Sequence, residues 1–260
     1  MPRDQGVPDH ICDFNTILRT SLMNGRNPTA EALLATLGER VFVTDFDGTM
    51  TGVDFFDVVL NHVAPGSMDQ YWERCIAGEL THVAALNGIF QNAPRDIAEL
   101  RTWLPETKLD PATPRAIHRL RQAGWDVLVV SAGCEWYIEE ILAPVREQVH
   151  VIANPGDVSQ ESGLWMGWPP ADSPWYSAHF GVDKGRLVQL LTQAGKTVAF
   201  AGDGRPDLAA SREVAAERRF AKSWLADQLA QQGLAFRSFV NWSEIAPVLT
   251  GEDQSSGNGE

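Results

Sequence analysis

The sequence predicts an α/β fold: a doubly wound parallel sheet with helices on both faces and a small helical module set in after the first strand. Three observations carry this. Short apolar runs of strand length, RVFVTDFD, WDVLVVSAG, VHVIAN and KTVAFAGDG, recur along the chain. Helical spacing follows most of them directly, and such alternation builds a parallel sheet buried on both faces. Residues 53–112 break the rhythm, keeping helical spacing through four segments with no convincing strand.

Taken in order, residues 1–40 read as a mixed extension in which TILRTSLM and PTAEALLATLG form short helices around the breaker NGRNP. RVFVTDFD is a central strand. VDFFDVVLNHV, SMDQYWERCIAGEL, HVAALNGIFQ and PRDIAELRTWL form the helical module at 53–112. PATPRAIHRLRQAG is a helix with Pro near its start and Gly at its end. The strand WDVLVVSAG, the helix CEWYIEEILAPV and the strand VHVIAN follow. Residues 155–182 are turn-rich, with a hairpin expected around GLWMGW. DKGRLVQLLTQAG, KTVAFAGDG and PDLAASREVAA continue as helix, strand and helix. RRFAK, SWLADQLAQQG and AFRSFV give a short strand, a helix and a last strand before WSEIAPVL. The main domain therefore comprises 41–52 and 113–250, and 251–260 reads as a disordered tail.

The chain has 260 residues and a net charge of −13. That balance disfavours a nucleic-acid partner, which needs a basic surface. An anionic ligand would need local help from a metal, a lysine or backbone N–H groups. Cys12, Cys75 and Cys134 lie far apart and form no CxxC pair, which argues against a disulfide framework or a zinc site. No signal peptide or membrane span is legible, so a cytoplasmic setting without a membrane partner is expected, as a monomer or homodimer.

In open parallel sheets, ligands bind beyond the carboxyl ends of the strands. Those ends carry Asp45 and Asp47, Ser131, and Asp203 followed by Asp207, with Lys184 at the start of a helix. Carboxylates from different strands can hold Mg²⁺, which prefers oxygen ligands. A carboxylate can also serve as nucleophile, and a second one two residues on as general acid and base. Ser and Lys can hold and neutralise phosphoryl oxygens.

DFDGTMT, VVSAG, DKGRL and GDGRPDL, in this order, resemble the four motifs of the haloacid dehalogenase-like phosphatase superfamily over about residues 41–249. The nearest likeness is to its phosphoserine phosphatase-like branch. Within that branch, the run RRFAKSWLADQLAQQGLAFRSFVNWSEI resembles the methionine-salvage group acting on 2-hydroxy-3-keto-5-methylthiopentenyl-1-phosphate. The resemblance implies strand order 5-4-1-2-3 and a cap at 53–112. It implies Asp45 as nucleophile and Mg²⁺ ligand, and Asp47 as general acid/base with its carbonyl on the metal. Ser131 and Lys184 would bind the phosphoryl group, with backbone N–H groups near Phe46, Gly48 and Ala132. Asp203 would complete the metal site, supported by Asp207. The carboxylate at Asp47 favours phosphate-ester hydrolysis over dehalogenation. The implied substrate is a small phosphorylated metabolite: a keto-sugar-like phosphate, with phosphoserine or another phosphomonoester as the alternative. A ligand-binding regulatory protein on the same fold is the non-enzymatic reading.

Outside the motifs, two readings stand for each residue. Asp54 either meets a substrate amine or is a helix-start acid favoured by the dipole. Arg74 either meets a substrate anion or is an ordinary surface arginine. Trp165, Trp168, Trp175 and Tyr176 form either an apolar wall beside the site, with Trp168 touching substrate, or a packed hairpin core. Cys134 is either an activated thiol at a helix start or a small buried residue.

Overall fold

The computed structural model describes residues 29–63 and 70–252. The expected helix TILRTSLM and the tail from 253 lie outside them. PTAEALLATLG does fold as α1 (Ala30–Thr36), with the Thr29 side chain accepting from Ala32 N as its N-cap.

The central strand β1 (Arg40–Thr44) pairs in parallel with β2 (Trp125–Cys134) on one side and β8 (Thr197–Gly202) on the other. β3 (Val149–Asn154) extends the sheet beyond β2, while β9 (Arg219–Ala221) and β10 (Arg237–Ser238) extend it beyond β8. The order β10-β9-β8-β1-β2-β3 is the expected 5-4-1-2-3 arrangement with one more edge strand. AFRSFV contributes only two exposed residues to that edge, because its apolar Phe239 turns back into the core.

The inner strands are mostly apolar because both faces are covered. Along β1, Val41 and Val43 face a core with Leu33 of α1, Leu187 and Leu191 of α8 (Lys184–Gln193) and Leu225 of α10 (Ser223–Gln231). Phe42 points the other way, into a core with Ile117 of α6 (Thr113–Gln122), Ile138 of α7 (Glu135–Leu142) and Ile245 of α11 (Ile245–Thr250). The short α9 (Leu208–Arg212) adds Ala210 to the first layer. Buried Arg219 donates to the Ser211, Val214 and Ala235 carbonyls and ties the edge of the sheet together.

The insertion after β1 is helical, as its spacing predicts: α2 (Phe55–Val63), α3 (Gln70–Ile76), α4 (His82–Phe90) and α5 (Ile97–Trp103). The chain leaves and re-enters side by side. Thr51 bridges Leu109, and Gly52 and Val53 donate to the Thr107 carbonyl at 3.0 Å. Residues 155–182 form two hairpins, β4–β5 (Gly156–Ser159 with Gly163–Met166) and β6–β7 (Tyr176–Ser177 with Gly181–Val182). Buried Asn87 on α4 bonds both backbone groups of Met166, its Oδ1 accepting from the N–H at 2.8 Å and its Nδ2 donating to the carbonyl. An amide in that pose stands in for a neighbouring strand. It fastens the insertion to the first hairpin. No helix among the described residues is long and apolar enough to cross a membrane.

Candidate active site

A cavity of about 490 Å³ opens at the carboxyl ends of β1, β2 and β8, between the sheet and the insertion. Asp45, Asp47, Asp54, Ser131, Ala132, Lys184, Asp203 and Asp207 all line it. Residues up to 162 positions apart in the chain thus share one wall, as parallel strands bring all their carboxyl ends to one side.

Each strand end is shaped locally. Thr44, fully buried, donates to the Asp45 carbonyl at 2.8 Å and accepts from Trp242 Nε1 at 2.9 Å. Trp242 also stacks on Phe42, with ring centroids 5.6 Å apart. The last strand turn before Asp45 is therefore held from the C-terminal segment. Gly48 has φ 69, and a Cβ there would collide with the Asp203 carboxylate. Beyond Val130 the register of β2 against β3 shifts, and Ser131 accepts from Gly133 N at 2.9 Å. Asn154, wholly buried, donates to the Ala132 and Phe180 carbonyls at 2.8 and 2.9 Å, tying that loop to the second hairpin.

Lys184 is buried between two carboxylates. Its ammonium bonds Asp45 Oδ1 and Asp207 Oδ1, the latter at 2.6 Å. Asp207 Oδ2 accepts from Asp203 N and Gly204 N at 3.0 and 2.9 Å. Thr49 donates to Asp203 Oδ1 at 2.9 Å and touches Asp45 Oδ2 at 3.2 Å. Asp47 lies in a separate clamp: Oδ1 accepts from Phe55 N at 3.0 Å and Oδ2 from the Tyr137 hydroxyl at 2.5 Å. A Cβ on Gly133 would occupy the space of that hydroxyl.

Burial raises Asp45 to about 6 against the pull of Lys184, and raises Asp47 to about 6 against the bonds from Tyr137 and Phe55 N. Asp203 and Asp207 also rise to about 6, through burial first and then Asp207 and Asp45 respectively. Asp54 goes up to about 9, through burial and the charges of Asp47 and Asp203. Burial pulls Lys184 down, but Asp207 and Asp45 more than offset it, so the ammonium stays charged. Five carboxylates thus share the cavity wall with one buried ammonium. Asp45, Asp203 and Asp207 offer oxygens all within 4.8 Å of one another. An oxygen-only set with uncompensated negative charge fits a hard divalent cation.

The residues outside the motifs fall differently. Asp54 is on the cavity wall. Arg74 is not, and its guanidinium pairs with Glu79 at 3.1 Å. Trp168 spends its indole N–H on the Ala178 carbonyl at 3.0 Å, and none of Trp165, Trp168, Trp175 and Tyr176 lines the cavity. That segment gives His179 and Phe180 instead. Cys134 is a small buried residue, its thiol pushed up to about 12 by burial. Cys75 and Cys134 are free. Thr49, Tyr137 and His82 were not singled out by the sequence reading. The one available signal was that Tyr137 follows Ser131 on the next helix, and this does not distinguish it from its neighbours.

The haloacid dehalogenase-like hydrolase family model matches residues 42–212. The chain belongs to that family. Among curated relatives, the 2-hydroxy-3-keto-5-methylthiopentenyl-1-phosphate phosphatase of Brevibacillus brevis is 24% identical over 212 residues, covering 80% of this chain and 94% of that protein. The crystal structure of a haloacid dehalogenase-family hydrolase from Salmonella enterica serovar Typhi superposes with TM-score 0.63 at 16% identity, over 84% of this chain and 72% of that one. A probable phosphoserine phosphatase from Vibrio cholerae superposes with TM-score 0.58 at 17% identity, over 95% of this chain and 74% of that one. These structures share the fold.

Proposed function

We propose that the chain is a Mg²⁺-dependent phosphatase that hydrolyses a small phosphomonoester through an aspartyl-phosphate on Asp45. The observation that carries this is the seating of Asp45 against Lys184, with Asp203, Ser131 and Asp47 on the same cavity wall. A carboxylate oxygen of Asp45 attacks phosphorus as the bond to the leaving oxygen breaks, and Asp47 gives that oxygen its proton. Asp47 then takes a proton from water, whose oxygen attacks phosphorus, releasing inorganic phosphate and restoring Asp45. Lys184 and the Ser131 hydroxyl hold the phosphoryl oxygens. Asp45, Asp203 and the Asp47 carbonyl would hold Mg²⁺, which supplies charge neutralisation for the transferring group. Asp207 already accepts from Lys184 and two backbone N–H groups, so its part is to anchor the lysine and the Asp203 turn.

The helical insertion acts as a cap that restrains water during transfer. Its contribution to the cavity is mostly apolar, with Phe56, Trp72, Ile76, Leu86 and Phe90 beside Asp54, Cys75 and His82. This supports a substrate with an apolar tail, of the kind named for the Brevibacillus relative, over phosphoserine. Release of phosphate from 4-nitrophenyl phosphate, dependent on Mg²⁺ and blocked by EDTA, tests the reaction class. A keto-polyol phosphate compared with phosphoserine tests the substrate. No release from any phosphomonoester sinks the proposal, and a strong preference for phosphoserine overturns the substrate reading.

A further inference from the structure

We infer that Arg205, Ser223 and Trp224 form an anion-binding subsite on the cavity rim. It would take a second anionic oxygen group, a carboxylate or ionised enol, carried by the substrate beyond its phosphate and beside its apolar tail. The inference deepens the phosphatase reading and borrows from it only which end of the ligand lies deep. All three residues line the cavity. They come from different loops: Arg205 starts the turn after β8, while Ser223 and Trp224 open α10 after β9.

The Arg205 guanidinium lies over the Trp224 indole, 5.1 Å from the ring centroid. Stacking of this kind fixes the plane of the guanidinium and leaves its N–H edge free for a bidentate oxygen anion. That edge is unused: among the described residues the Arg205 guanidinium makes no ion pair or hydrogen bond. The chain has 34 acidic residues against 21 basic ones, so a free arginine is not the default. Arg74, Arg101, Arg146, Arg186 and Arg218 each hold a carboxylate. The other cation on the cavity wall, Lys184, is already engaged by Asp45 and Asp207. With Lys184 assigned to the phosphoryl oxygens, Arg205 is the cation on the wall left for a second anionic group.

Ser223 adds a second observation. Its φ of 50 is left-handed, which is costly for a residue with a side chain. Its exposed hydroxyl makes no hydrogen bond among the described residues. The turn it shapes also lets Leu225 N donate to the Asp203 carbonyl at 2.8 Å, and strained backbone of this kind collects at functional sites. Across the mouth stands Cys75 of α3, near enough that the charge of Arg205 opposes the rise that burial gives its thiol. The subsite thus faces the apolar insertion, and a ligand spanning floor and rim would touch both.

The test is calorimetric binding, with Mg²⁺ present, of two phosphonate series of increasing chain length, one ending in methyl and one in carboxylate. Wild type should bind the carboxylate series roughly tenfold to a hundredfold more tightly at the best length, the range of a charge-assisted hydrogen bond. Arg205→Gln should erase the difference, Arg205→Lys should keep part of it, and Trp224→Leu should reduce it. Equal binding of both series by wild type overturns the subsite. So does a preference that survives Arg205→Gln, or an equal loss for both series, which would put Arg205 on the phosphonate. Binding is read without turnover. A chain that binds as expected and hydrolyses nothing would sink the phosphatase reading alone.

Discussion

Asp45→Asn should abolish multiple turnover, because the carboxamide is a poor nucleophile, while circular dichroism stays native. Substantial steady-state phosphate release by the purified variant would refute covalent catalysis at Asp45. Asp203→Ala should weaken Mg²⁺ binding at least tenfold more than Ser131→Ala does, as followed by metal titration; equal affinities would refute the division of roles. Tyr137→Phe removes one of the two donors that hold the Asp47 carboxylate. It should lower kcat roughly tenfold for an alkyl phosphate and much less for 4-nitrophenyl phosphate, whose leaving group needs little proton assistance. An equal loss on both substrates would mean that Tyr137 serves only packing. The four motifs in the sequence led to the acids, Ser131 and Lys184, which are gathered in one cavity. Tyr137 stayed illegible because a tyrosine on an amphipathic helix looks like core until Gly133 is seen to make room for its hydroxyl.

Among elements, the inner strands β1, β2, β3 and β8 were legible as apolar runs, and the helices by their period. The ends were not: AFRSFV has strand composition, yet it lies at the sheet edge, where tertiary packing overrides propensity. The contact between α4 and the β4–β5 hairpin was also beyond sequence reading, since a buried asparagine looks polar and therefore exposed. Asn87→Leu leaves both Met166 backbone groups without their partner. It should cost about 1–3 kcal/mol. A fall in Tm, with faster hydrogen exchange confined to α4 and the first hairpin, is the expected pattern. Unchanged protection there would show that the bond does not join the two elements.

For the molecule as a whole, acid tolerance should depend on His82. Its ring is packed edge-on to Trp72 and Phe180, with centroids 5.5 and 5.6 Å away. Burial, with Lys184 and His179 beside it, lowers it from 6.5 to about 3. The unfolded chain therefore takes up this proton first. The stability contributed by neutral His82 is complete above about 6.5 and is lost progressively as pH falls toward 3. His82→Gln should flatten the decline of Tm across that window, and an unchanged slope would show that the ring is not held neutral. The order of the central sheet reaches further, into biosynthesis. β1 is finished at Thr44, yet its two neighbours begin at Trp125 and Thr197, and the tryptophan that braces Thr44 comes at 242. On the ribosome, the strand bearing the proposed nucleophile must wait for most of the chain, with both apolar faces unpaired. Nascent chains arrested before β8 should accordingly bind chaperones through the β1 segment and lack a formed cavity, and the protein should acquire its site in one late step.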